Sequence, residues 1–78
     1  MKPFTTIAIR DLATDYPFRW RDSYFLEPQE TLEGAIEAAQ THRKERGGKY
    51  GFVIYENGAE VGCIHFGSVG NFVERSKY

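Results

Sequence analysis

The sequence is short of several things, and each shortage removes a class of function. A single cysteine, Cys63, leaves no pair for an intrachain disulfide, so a reducing, cytoplasmic setting is expected. No apolar run approaches the roughly 20 residues that a membrane-spanning helix needs, and the opening Met1-Lys2-Pro3-Phe4-Thr5-Thr6 lacks the apolar core of a secretory signal. No membrane partner is expected. Neither sign of charge is in surplus: ten Lys and Arg stand against eleven Asp and Glu, a formal net charge of −1. A dedicated duplex-DNA binder carries a basic excess, and a mimic of DNA needs a strong acidic one. Nucleic acid is therefore not the expected partner. No repeat or low-complexity stretch is present, and 78 residues fit one domain, 1–78.

What is present centres on Thr31–Gly48. Leu32, Ala35, Ile36 and Ala39 recur at the i, i+3, i+4, i+7 spacing of one helical stripe. Thr31 is suited to cap the N-terminus, and Gly47-Gly48 to end the helix. Glu30, Glu33 and Glu37 come early while Arg43, Lys44 and Arg46 come late, which matches the helix dipole. With two alanines in it, the stripe is thin and suits a helix lying close on a sheet. His42 and Arg43 continue it, their stems covering the core edge and their polar tips reaching water. Gly34 lies inside the first turns, where it is either a point of close backbone approach or a tolerated weakness.

Strand patterns flank the helix. Phe4–Arg10 is rich in β-branched residues, with Thr5, Ile7 and Ile9 on one face. Leu12–Pro17 reads as a loop. In Phe18–Leu26, Phe18, Trp20, Asp22, Tyr24 and Leu26 alternate with Arg19, Arg21, Ser23 and Phe25; the first set is expected toward the helix and the second toward water. Asn57-Gly58, set between two strand-like runs in Tyr50–Phe66, is the preferred pair for a two-residue type I′ turn. A regular ladder from that turn pairs Glu56 with Ala59, Ile54 with Val61 and Phe52 with Cys63. It sorts the hairpin into one face of Tyr50, Phe52, Ile54, Val61, Cys63 and His65, expected under the helix, and another of Val53, Tyr55, Glu60, Ile64 and Phe66; with the faces inverted, the partner surface would instead be Tyr50, Phe52, Ile54 and His65. The expected fold is α+β, order β-β-α-β-β: an antiparallel sheet of about four strands with one helix on one face. Phe72 and Val73 are available to fold back over part of the second face.

Chemistry-bearing constellations are sparse. Cys63 and His65 form a C-x-H pair, but zinc sites use four ligands, and His42 is the only other nitrogen or sulfur donor of that type. A buried Cys63 acting as a small hydrophobe is the favoured reading, so no metal, cofactor or catalytic residue is assigned. The glycine pairs around Gly47 and Gly67 match no phosphate-binding fingerprint. Arg10, Arg19, Arg21 and Trp20, with Tyr16 and Tyr24, interleave basic and aromatic residues as a single-strand platform does. Alternation, however, separates Trp20 from the neighbouring arginines.

A sheet covered by one helix has one greasy face and one polar face. Here both hairpin faces are apolar. The second must be covered by the tail, a second copy or a target, and contiguous apolar patches mark interaction sites. The expected partner-binding residues are thus Val53, Tyr55, Ile64 and Phe66, with Arg19 and Arg21 as a polar rim.

The β-β-α-β-β order, the Thr31-Leu32-Glu33-x-Ala35-Ile36-x-Ala38-Ala39 helix opening and the Glu56-Asn57-Gly58-Ala59-Glu60-Val61 turn together resemble small phage-encoded α+β inhibitors of the anti-CRISPR type. The resemblance is one of layout across most of the chain and carries over no functional residue. It implies a non-enzymatic protein that blocks a host defence complex by occupying a surface, in the host cytoplasm. Two other classes stay open: a nucleic-acid module using the arginine and aromatic strand, and a self-associating assembly domain forming a homodimer.

Overall fold

The computed structural model describes residues 1–11, 21–46, 50–65 and 71–77. Strands β1 (Phe4–Asp11) and β2 (Arg21–Phe25) precede helix α1 (Leu32–Arg46). Strands β3 (Tyr50–Glu56), β4 (Ala59–Ile64) and β5 (Phe72–Glu74) follow, and the described chain ends in a single 3₁₀ turn, Arg75–Lys77. The sheet has five strands in the order β2-β1-β3-β4-β5, every neighbouring pair antiparallel. The class is α+β as expected, with one strand more. The tail residues Phe72 and Val73 extend the sheet edge beside β4 instead of folding over a face.

β2 and β3 are both antiparallel to β1, which lies between them, so they run parallel to each other. A tight hairpin cannot join parallel strands; a crossover is needed, and α1 supplies it, lying over β1 and β3. Its start is pinned to the sheet. Leu26 N–H donates to the Thr6 carbonyl (2.8 Å), and Phe4 and Gln29 exchange backbone bonds of 3.1 and 2.8 Å, so residues 26–29 follow β1 down to the helix. Thr31 Oγ1 then accepts from the Gly34 N–H at 3.0 Å, the expected cap. The nearest atoms that a Cβ added at Gly34 would meet are that same hydroxyl at 3.0 Å and the Gln29 side chain beyond it. The glycine gives the cap room.

The close contact of helix and sheet runs along Ala35 and Ala39, both fully buried, while Leu32 and Ile36 are half-buried at its flanks. Small residues on the helix allow large ones on the sheet. A single row across all five strands, Tyr24, Ala8, Phe52, Ile64 and Phe72, holds the core.

The hairpin turn is as read, with Asn57 and Gly58 both at positive φ (50° and 86°) and Glu56 opposite Ala59. Beyond it the register differs. Tyr55 pairs with Glu60 but Ile54 pairs with Gly62, leaving Val61 as the extra residue of a β-bulge. The expected pairs Ile54–Val61 and Phe52–Cys63 do not form; Phe52 faces Ile64 and Val53 faces Cys63. One extra residue inverts every side chain after it. Ile64 therefore turns into the core, 1% exposed, and Cys63 turns out of it. The physical reason lies at Gly62. The Phe72 ring and the Val73 carbonyl occupy the space where a Cβ on Gly62 would stand, so a glycine at this inward position admits both.

Candidate interaction surface

The face of the sheet turned away from α1 is built by alternation. Thr5, Ile7 and Ile9 come from β1, Ser23 and Phe25 from β2, Val53 and Tyr55 from β3, Cys63 from β4 and Val73 from β5. Its central row, Phe25, Ile7, Val53, Cys63 and Val73, runs across all five strands immediately beside the core row on the opposite face. Four of these five are half-buried, whereas Phe25 is 68% exposed. Beside Phe25 lies a hollow of ≈ 200 Å³ lined by Thr5, Ile7, Phe25, Tyr55 and Gly58. A projecting aromatic next to an apolar hollow is what a partner with a matching surface can grip.

Of the six residues expected to bind a partner, Val53 and Tyr55 lie on this face. Ile64 does not: the bulge places it in the core, which corrects the reading made from a regular ladder. Arg21 opens β2 opposite Asp11. Arg19 and Phe66 lie outside the described residues, as do the expected loop 12–17 and Trp20. The sequence pointed to Phe25 only as one member of a strand face expected toward water. Its signal was a large apolar residue at an outward position, and Ile7 carried the same signal on β1.

Cys63 and His65 sit at the β4 end of the same face, Sγ and Nε2 3.7 Å apart, with Cys63 half-buried and His65 exposed. The expectation that Cys63 is a small core hydrophobe is thereby corrected. Among the described residues no three or more His, Cys, Asp or Glu side chains cluster as a ready metal site.

On the helix side, His42 does not simply reach water. Its ring meets Tyr24, Tyr50 and Phe52 edge to face, with centroids 5.5, 5.2 and 6.0 Å away, and Nε2 is hydrogen-bonded to the Tyr24 hydroxyl at 2.6 Å. Burial holds its pKa below the usual 6.5; the Arg46 charge adds to that, and Glu45 opposes it. His42 also borders a broad groove of ≈ 510 Å³ between α1 and residues 26–29, with Glu27, Glu37 and Glu45 around it. Tyr24 and Tyr50 tie this histidine into the core, so it joins helix to sheet.

No protein family, curated protein or solved structure matches this chain. Among the described residues, no helix is long and apolar enough to cross a membrane.

Proposed function

We propose that the chain is a non-enzymatic protein-interaction module that acts by covering a surface of its partner with the helix-free face of its sheet. The observation that carries this reading is Phe25, 68% exposed beside the hollow of Thr5, Ile7 and Tyr55. Fully burying a side chain of that size brings about 1.5–3 kcal/mol relative to full exposure, and Phe25 at 68% exposure forgoes part of it. A partner that takes up the ring recovers that energy. The partner class we propose, a protein complex of host defence of the CRISPR type, rests on the resemblance of layout to small phage-encoded inhibitors.

The test is inhibition of target-DNA cleavage by purified CRISPR interference complexes, with wild type, Phe25→Ala and Tyr55→Ala compared. Each variant is expected to bind more weakly by about 1–3 kcal/mol, the magnitude of an interface hot spot, with little change in thermal unfolding. Wild-type inhibition that both variants retain moves the binding surface elsewhere. No inhibition by wild type rejects the defence target. A second reading, self-association, is favoured by the presence of projection and hollow on one face, since a two-fold interface must be self-complementary.

A further inference from the structure

We infer that Cys63 and His65 form half of a tetrahedral site for a zinc-class ion, completed by the same pair from a second copy of the chain. The inference rests on the reading of the helix-free sheet face as an interaction surface, and it names an occupant for the Cys63 end of that face.

The first support is the separation of the donors. Zinc–sulfur bonds of about 2.3 Å and zinc–nitrogen bonds of about 2.0–2.1 Å, at a tetrahedral angle, place two donor atoms about 3.6 Å apart. The Cys63 Sγ and His65 Nε2 atoms are 3.7 Å apart. An ion entering between them replaces their thiol–imidazole contact by two coordinate bonds.

The second support is where the bulge puts the pair. In a regular ladder Cys63 would face the helix and no ion could reach it. The extra residue Val61 instead sets Cys63 opposite Val53 and Val73, on the sheet face that carries no helix. His65 follows two residues later and is exposed.

The third support is stoichiometry. Among its described residues one chain offers this pair of ligands where a structural zinc site takes four, and no group of three or more candidate ligands forms there. A two-fold pairing of faces brings two thiols and two imidazoles together as a Cys2His2 set. The balance is simple: two thiol protons leave, and two thiolates neutralise the doubly charged ion. A site with no net charge can be buried among Val53, Val73 and their copies without the penalty that an uncompensated ion would bring. The ion-linked pair and a complex with another protein would then compete for one face.

Cobalt titration of the metal-free, reduced full-length protein tests this. The expected result is a thiolate-to-cobalt band in the near ultraviolet together with the intense visible bands of a tetrahedral site. Saturation is expected at one ion per two chains, with a matching monomer-to-dimer shift in sedimentation. Zinc should displace the cobalt and release protons, because thiols must ionise to bind. Cys63→Ser and His65→Ala should each abolish the bands. His65 is exposed, so its variant keeps the test valid if the cysteine variant folds poorly. Absence of a thiolate band, bands that survive His65→Ala, or saturation at one ion per monomer would each overturn the proposal. None of these readouts depends on inhibition of another protein. Failure here therefore stands apart from failure of the Phe25 and Tyr55 variants.

Discussion

At the scale of single residues, the ring of His42 is the most consequential placement. It fills a gap among Tyr24, Tyr50 and Phe52 that a thin helix stripe would otherwise leave, and its hydrogen bond to Tyr24 ties α1 to β2. The groups around it are Tyr24 from β2, Tyr50 and Phe52 from β3, and Arg46 and Glu45 from its own helix. The folded protein disfavours the imidazolium, so the unfolded chain binds that proton more readily. Linkage gives the sign: the contribution is fully present above the unfolded value near 6.5 and is lost as pH falls toward the lowered folded value. Urea unfolding followed from about pH 8 down to about pH 5 should therefore show wild type losing stability on the acid side. His42→Gln, with no titrating ring, should lose less over the same interval. Equal acid slopes for the two proteins would place the sensitivity on other groups.

At the scale of elements, the hairpin of β3 and β4 shows where pattern reading succeeds and where it stops. The helix limits, its Thr31 cap and the Asn57-Gly58 turn were legible because each depends on residues adjacent in sequence. Alternation divided β3 into two faces but did not choose between them, because both are apolar; the structure buries Tyr50, Phe52 and Ile54. The bulge was not legible. It answers to Phe72, ten positions beyond Gly62, whose ring needs the space that a side chain on Gly62 would take. A tertiary contact thus set the register, and Ile64 and Cys63 exchanged faces. Chemical denaturation in metal-free buffer tests the exchange. Ile64→Ala should cost about 2–5 kcal/mol as a core truncation, whereas Cys63→Ala, at a half-buried outward position, should cost no more than about 1 kcal/mol. The reverse order would restore the regular ladder. Of the expected partner-binding residues, Val53 and Tyr55 keep their place because they precede the bulge, and Ile64 loses its place because it follows.

At the scale of the whole molecule, composition and architecture bear on the choice among partner classes. Ten cationic side chains are offset by eleven acidic ones. In the described part, the basic cluster of Arg43, Lys44 and Arg46 closes α1, where it complements the helix dipole, with Glu45 set among it. The helix-free face presents the apolar Ile7, Ile9, Phe25, Val53 and Val73 together with the uncharged Thr5, Ser23 and Tyr55. Affinity for nucleic acid comes chiefly from counterions released when lysines and arginines neutralise phosphates, and its salt dependence counts them. Single-strand binders add aromatic side chains interleaved with that charge, so that bases stack where phosphates are held. Phe25 and Tyr55 could stack bases, but Ile7 and Val53 around them offer nothing for a phosphate. Fluorescence anisotropy with labelled single-stranded DNA and RNA should therefore show weak binding at physiological salt and a shallow loss of affinity as salt rises. Arg21, at the head of β2, and Trp20 just before it are the side chains on which the opposite outcome would depend. Submicromolar binding at physiological salt, abolished by Trp20→Ala or Arg21→Ala, would shift the function from a protein surface to a nucleic-acid one.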